Sequence, residues 1–314
     1  MPDIQFASIP RGRKVLWIAT AGGHVAEAYQ LDRLIEARAD SLWITSDHPQ
    51  TRSLLSGRRV EFVEFVGSRD LVPAARVGRH VARLLRQESF DLCLSTGAAI
   101  AGFAVPRAAR RGVPAVYVES IARVDGPSLT GRIMRAAPRV RTLTQYDSYA
   151  SRSWRYDGTI LAGFRRAPSV PSRSGRRVLV TLGTREYRFD RAVDAVLRAL
   201  RADDDVVWQL GATERTGLPG RVYGSMSYDQ LAGEVSRADV VVTHAGAGSI
   251  MLAWEMGKLP VLAARAAARR EAVDDHQLQL LEELVTRGLG VGLRFDEHNG
   301  DVFDLADASA VVAV

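Results

Sequence analysis

The sequence predicts an α/β protein built from two Rossmann-like, doubly wound domains, and three observations predict it. Short β-branched runs alternate with segments of helical spacing along most of the chain, the pattern of parallel strands joined by crossover helices. Two of the strands, at 14–20 and 240–242, run straight into a glycine turn that opens a helix. Between them, AGFRRAPSVPSRSGRR at 162–177 is rich in Pro, Ser, Gly and Arg and lacks periodicity, as a linker does. The expected division is therefore a first domain at 1–162, a linker at 163–177 and a second domain at 178–314. With 314 residues, each domain is long enough to bury its own core.

In chain order, KVLWIAT at 14–20 is a buried-type strand, and the helix after it places Ala28, Leu31, Leu34 and Ile35 on one face. Strand and helix then alternate: 41–45 with 50–55, 60–65 with 71–87, 92–95 with 98–111, and 115–118 with 131–136. Beyond the linker, a strand at 178–181 ends on Leu182-Gly183-Thr184, followed by a helix at 189–200, a strand at 206–210 and a helix at 228–235. The strand at 240–242 leads through THAGAGS into a helix at 250–256. A strand at 260–263 follows, and Asp274-Asp275-His276-Gln277 opens one more helix.

The turn Thr243-His244-Ala245-Gly246-Ala247-Gly248-Ser249 carries the clearest chemistry. The first N–H groups of a helix lack intrahelical partners and its dipole is positive there, so a phosphate docks well where glycines leave room. Ser249 adds a hydroxyl. A purely structural strand-to-helix turn has the same local signature. In the first domain, Gly22-Gly23-His24-Val25-Ala26-Glu27 puts an imidazole and a carboxylate in the first turn of a helix, at the strand end where open α/β sheets bind ligands. His24 is the best candidate for a general base, and a solvated histidine in a capping turn is the competing reading. Glu119, directly after a strand and four residues before Arg123, is either a second candidate base or half of a loop-fixing ion pair. Asp203-Asp204-Asp205 reads as a cap on a helix-to-strand turn rather than a metal cluster.

Charge is uneven. Residues 1–170 carry 25 Lys and Arg against 15 Asp and Glu, whereas 171–314 carry 17 against 21. Without a nucleic-acid motif or spaced aromatic platforms, the basic half points away from DNA and RNA and toward anionic lipid or a diphosphate-linked substrate. PAARVGRHVARLLR at 73–86 gathers Val77, Val81, Leu84 and Leu85 on one side among arginines, the pattern of a helix lying on a membrane surface. No apolar run reaches the roughly 18 residues of a membrane span. The one cysteine, Cys93, rules out an internal disulfide and fits a reducing cytoplasm.

Taken together, HAGAGS, E-x-G-K-x-P and D-H-Q in order, preceded by Leu182-Gly183-Thr184, resemble the donor-binding subunit of the two-subunit glycosyltransferases. These comprise the dolichol-pathway N-acetylglucosaminyltransferase and its bacterial exopolysaccharide relatives. The spacing of Arg265, Glu271 and Asp275-His276-Gln277 is closer to the bacterial branch, and Leu252 stands where the dolichol branch carries glutamate. GGH-x-x-E, then ESIARV at 119–124, SLTG at 128–131 and Gln145, resemble the acceptor subunit of the same enzymes. The chain thus looks like both subunits fused, acceptor half first.

The resemblance implies a GT-B fold, two Rossmann-like domains facing across a cleft, and inverting transfer of a glucuronosyl, galactosyl or N-acetylglucosaminyl residue. The donor would be a UDP-sugar, used without a metal or other cofactor. The acceptor would be a polyprenyl-diphosphate-linked saccharide at the cytoplasmic face of the membrane, with the protein bound peripherally. A UDP-sugar epimerase of the same fold is the alternative. In the implied site, Gly183, Thr184, His244, Gly246, Ala247, Gly248 and Ser249 hold the nucleotide diphosphate. Glu255 takes the ribose or lies on the helix surface, and Arg265 meets a hexuronate carboxylate or a phosphate. Asp275, His276 and Gln277 bind sugar hydroxyls. Gly22, Gly23, Glu27, Arg123 and Ser128 face the acceptor, with His24 or Glu119 as base.

Overall fold

The computed structural model describes residues 6–67, 70–172, 174–183 and 187–314. The chain divides into two compact units, Met1–Ala162 and Gly163–Val314.

The first unit alternates strand and helix throughout: β1 (Val15–Ala19), α1 (Gly23–Leu34), β2 (Leu42–Ser46), α2 (Pro49–Leu54), β3 (Arg59–Val63), α3 (Leu71–Leu84), β4 (Leu92–Gly97), α4 (Ala101–Arg110), β5 (Ala115–Val118), α5 (Leu129–Ala136), β6 (Val140–Thr144) and β7 (Arg155–Tyr156). All strands are parallel, in the order β3-β2-β1-β4-β5-β6-β7. The apolar runs of β1, β2, β4 and β5 are buried along their whole length, as strands covered on both faces must be. Trp17 and Trp43, neighbours in register, stack with ring centroids 5.0 Å apart.

The helix expected to lie on a membrane is instead part of this core. Val77, Val81 and Leu84 of α3 are buried, and Gly78 lets the helix approach α4, since a Cβ there would stand 2.9 Å from Phe103 Cβ. An arginine-flanked apolar stripe has the same spacing whether it meets lipid or a neighbouring helix.

The second unit contains β8 (Phe164–Pro168), β9 (Arg177–Thr181), α6 (Asp190–Ala199), β10 (Asp205–Gln209), β11 (Arg221–Tyr223), α7 (Tyr228–Arg237), β12 (Val240–Thr243), α8 (Ala247–Glu255), β13 (Val261–Leu262), α9 (His276–Thr286), β14 (Val291–Gly292), α10 (Gly300–Asp307) and β15 (Ser309–Ala313). Its main sheet is parallel, in the order β11-β10-β9-β12-β13-β14.

The stretch read as a linker is largely integrated into this unit. β8 pairs antiparallel with β15, and Phe164 lies 5.0 Å from the Trp254 ring of α8. At the far end of the same stretch Arg176 is fully buried, paired with Asp204 at 2.8 Å and Asp304 at 2.9 Å. The strand was hidden because its partner lies at the other end of the unit, beyond the reach of local composition. The acidic triplet serves this turn: Asp204 holds Arg176, and Asp203 accepts the Gly175 N–H.

Candidate active site

In an open parallel sheet, ligands bind beyond the carboxyl ends of the strands where the strand order reverses. That point lies between β1 and β4 in the first unit and between β9 and β12 in the second. The glycine turns singled out in the sequence leave β1, β9 and β12, so both switch points are flanked by them.

At the first switch point, the His24 imidazole lies over Gly97 at the end of β4. A Cβ on Gly97 would stand 3.0 Å from His24 Cε1, 3.1 Å from its Nδ1 and 3.3 Å from the Tyr117 hydroxyl, and Gly97 has φ +115°. His24 is half-buried, with its Nδ1 buried. Thr96 Oγ1 donates to the His24 carbonyl at 2.7 Å, and the Ala98 N–H donates to Thr20 Oγ1 at 3.2 Å, lacing the two strand ends together.

Glu27 and Glu119 do not face outward. Each is 1% exposed. Glu27 accepts from the Ser120 hydroxyl at 2.5 Å, the Ile121 N–H at 3.1 Å and Gln145 Nε2 at 3.5 Å, so it ties α1 to the loop after β5. Glu119 accepts from the Ser128 N–H at 2.9 Å, the Ser128 hydroxyl at 3.1 Å, Tyr117 at 3.2 Å and the Ser120 N–H at 3.3 Å. Ser128 also caps α5 through the Gly131 N–H, and a Cβ at Gly131 would collide with Glu119 Oε2.

Burial pushes the Glu27 carboxyl up to about 8, against the pull of its donors and with the help of the nearby Glu119 charge. The Glu119 carboxyl is raised by burial too, while its bonds to Ser128 and Ser120 and the Arg123 charge oppose the shift. Of the two base candidates, then, His24 stands at the edge and Glu119 is a buried, four-donor anchor. Burial likewise moves Glu27 and most of the Ser128 bonding from ligand contact to loop support. Gln145 completes the support, donating to the Glu119 carbonyl at 3.0 Å and accepting from the Ile160 N–H at 3.0 Å. Gly22, with φ +97°, and Gly23 shape the turn, and Arg123 stays near Glu119 at the loop's half-buried end.

At the second switch point, His244 occupies the corresponding place. A Cβ on Gly183 would stand 2.7 Å from its Cε1, and one on Gly246 would overlap its Nε2, so both turns need glycine to admit the ring. Gly183 also has φ +78°. Gly246 is the N-cap of α8 and has no side chain to cap that end, so among the described residues the helix opens at Ala247, Gly248 and Ser249 without an N-cap side-chain bond. Glu255, at the far end of α8, accepts from the Tyr228 hydroxyl at 3.2 Å. Thr184 lies outside the described residues.

Arg265 does not reach toward a ligand. It is buried, stacked 4.5 Å from the Phe189 ring centroid, and donates to the carbonyls of Leu182 at 2.8 Å, Tyr187 at 2.8 Å and Arg188 at 3.1 Å. Gln277 Oε1 accepts the Arg265 N–H at 3.1 Å, and Asp275 accepts the Ala267 N–H at 2.8 Å. His276 is bonded through Nδ1 to Asp274. Arg265, Asp275 and Gln277, expected at the donor, each also bond backbone groups of the 264–277 stretch or of its neighbours.

Sequence reading missed Gly97 and Tyr117, although Gly97 ends a buried strand before a helix as the other turns do. It also missed Phe189 and the Arg191–Glu271 pair at 2.8 Å, which have no local signature. A cavity of about 540 Å³ opens at the ends of β10 and β11, lined by Leu210, Gly211, Thr213, Tyr223 and Gly224. No group of metal-ligating side chains occurs among the described residues.

Comparison with known proteins finds its likeness mainly in the second unit. Residues 177–291 match the glycosyltransferase family 28 C-terminal domain. That matched stretch lies within the second unit. A stretch of 56 residues is 45% identical to the UDP-N-acetylglucosamine transferase subunit ALG13 of Yarrowia lipolytica, spanning 18% of this chain and 26% of that protein.

Solved structures extend the likeness beyond the family 28 domain. MurG of Acinetobacter baumannii is similar over 93% of this chain and 89% of its own, with TM-score 0.56 and 17% identity. SnogD, a glycosyltransferase of Streptomyces nogalater, covers 95% and 92%, with TM-score 0.54 and 18% identity. The UDP-GlcNAc 2-epimerase of Neisseria meningitidis, bound to UDP-GlcNAc, covers 93% and 97%, with TM-score 0.57 and 10% identity. At these identities the likeness establishes the fold: two Rossmann-like domains of the GT-B kind.

Proposed function

We propose that the protein is an inverting glycosyltransferase that moves a sugar from a UDP-sugar to a polyprenyl-diphosphate-linked saccharide, with the donor held by the second unit and the acceptor by the first. The observation that carries the reading is the glycine-opened α8 N-terminus beside His244 at the second switch point, inside the stretch that matches the family 28 C-terminal domain. Such an end offers backbone N–H groups and a positive dipole to a diphosphate, stabilising the leaving group as charge develops on it. The cavity at the ends of β10 and β11, on the same unit, is of a size to take the nucleoside.

In this reading His24 Nε2 removes the proton from the acceptor hydroxyl as that oxygen attacks the anomeric carbon. The bond from carbon to the UDP oxygen breaks on the opposite face, and UDP leaves with the electron pair. The configuration inverts to a β-linkage. Glucuronosyl, galactosyl and N-acetylglucosaminyl donors fit the sequence resemblance, and exopolysaccharide synthesis is the matching role.

No helix among the described residues is long and apolar enough to cross a membrane. Contact with lipid would use other residues than the stripe of α3. Phe65, Leu71 and Val72 near the start of α3, and Leu129 and Ile133 of α5, are each between 46% and 68% exposed. Arg132 and Arg135 of α5 are exposed beside the latter pair. Apolar side chains among arginines suit an anionic headgroup layer.

The test is UDP release from a panel of UDP-sugars, with and without lipid-linked saccharides extracted from membranes. Release that requires both substrates supports transfer. Conversion of donor alone to an epimer would replace it with the activity of the epimerase neighbours, and no turnover or binding with any UDP-sugar would overturn the nucleotide assignment.

A further inference from the structure

We propose that Arg265 is a positioning residue that clamps both feet of the 182–188 loop, so that the glycine turn is set before any donor arrives. The inference rests on the donor reading above for its function, but its geometry stands apart from it. One guanidinium donates to Leu182 O at the start of the loop and to Tyr187 O and Arg188 O at its end, with Glu271 O at 3.5 Å as a further acceptor. The planar group has five N–H donors in fixed directions, so the carbonyls it binds cannot move independently.

The clamp is itself held. Phe189, fully buried, lies under the guanidinium, and its N–H is fixed by Thr213 Oγ1 at 2.9 Å. Glu271 accepts from Arg191 Nε at 2.8 Å and from the Ala266 N–H at 3.1 Å, and Arg191 Nη2 donates to Ala264 O at 2.8 Å, which brackets Arg265 from both sides in sequence. The bonds to Leu182, Tyr187 and Arg188 each go to a carbonyl.

A clamp and a carboxylate reader make opposite predictions, and the sequence alone allowed both. Arg265→Met and Arg265→Lys are compared with the wild-type protein for calorimetric binding of UDP, UDP-glucose and UDP-glucuronate, and for amide hydrogen exchange across 182–188 without ligand. The clamp requires faster exchange in both variants and a loss of about tenfold or more for all three ligands alike, since displacing a binding loop weakens everything it holds. Lysine should not rescue, because an ammonium cannot span both feet of the loop.

A loss confined to UDP-glucuronate would overturn the clamp in favour of direct recognition, and so would unchanged exchange in both variants. Should Arg265→Met fail to fold, Arg265→Lys and Phe189→Leu, which removes the platform, carry the same readouts. If the wild-type protein binds none of the three ligands, the donor reading falls, while the exchange experiment still judges the clamp.

Discussion

In the first unit the loops at the switch point are tied down by carboxylates, which use up backbone N–H groups: Glu27 takes that of Ile121, and Glu119 those of Ser120 and Ser128. In the second unit a guanidinium uses up the carbonyls of Leu182, Tyr187 and Arg188, while Glu271 and Asp275 take the N–H groups of Ala266 and Ala267 in the loop after β13. The two units thus differ in which backbone groups their buried charges occupy. A latch through carbonyls does not itself spend N–H groups that an anion could use, whereas a latch through N–H groups does. The proposed function assigns a diphosphate to the second unit and a sugar hydroxyl to the first, and this difference is where that assignment can be tested.

Reciprocal glycine substitutions should break this comparison most sharply. Gly246→Ala puts a Cβ into the His244 ring, and Gly131→Ala puts one into the Glu119 carboxylate. We expect Gly246→Ala to weaken UDP binding by about a hundredfold, the scale of an angstrom-level displacement in a site. Gly131→Ala should leave UDP binding as it was and lower turnover with acceptor. Calorimetry with UDP, run beside the release assay, checks both, and parallel losses in the two variants would mean the units do not divide the substrates.

His24→Ala should abolish transfer while UDP affinity stays within about twofold, because the imidazole is placed on the proton and not on the diphosphate. Unchanged turnover would remove His24 from the mechanism. Glu119→Gln separates the two base candidates: it keeps the shape of a buried anchor, so residual activity with the wild-type pH profile is expected. A turnover loss matching that of His24→Ala, with the fold intact, would restore Glu119 as base.

The buried carboxylates of the first unit predict a pH dependence that the second unit's guanidinium cannot produce. In the folded protein the Glu27 pKa is raised from the ordinary 4.5 to about 8, with Glu119 shifted the same way. Between those values the folded state binds more protons than the unfolded one. Stability is therefore fully present below pH 4.5 and declines as the pH rises toward about 8. Glu27→Gln cannot ionise and should flatten that decline, which thermal melts across the range will show. An unaltered slope would mean that Glu27 stays ionised in the folded state.

How much of this was legible in the sequence follows the same division. The alternation of elements, both glycine turns and the place of His24 were readable because each depends on neighbours within a few residues. The roles of Glu119, Glu27 and Arg265 were not, since a polar residue after a strand has one signature whether it turns outward to a ligand or inward to a distant loop. Glu27 meets Ser120, and Arg265 meets Leu182, across separations of 93 and 83 residues. Only topology brings them together. The pairing of β8 with β15 escaped for the same reason, and the apolar side of α3 was read correctly as apolar but given the wrong neighbour.

The smallest effect concerns the exposed apolar residues of the first unit. Leu129 is 60% and Ile133 46% exposed, so exchanging both for serine removes little buried surface and should change the melting temperature hardly at all. On vesicles containing anionic lipid the same double variant should bind more weakly, since each apolar side chain withdrawn from water at the headgroup boundary adds to the affinity that the surrounding arginines supply by charge. Flotation assays at two salt concentrations separate these parts: added salt weakens the charge contribution, and the substitutions weaken the remainder. Equal binding of variant and wild-type protein at both concentrations would take α5 out of the membrane contact and leave the basic charge of the first unit to be explained by the diphosphate of the acceptor alone.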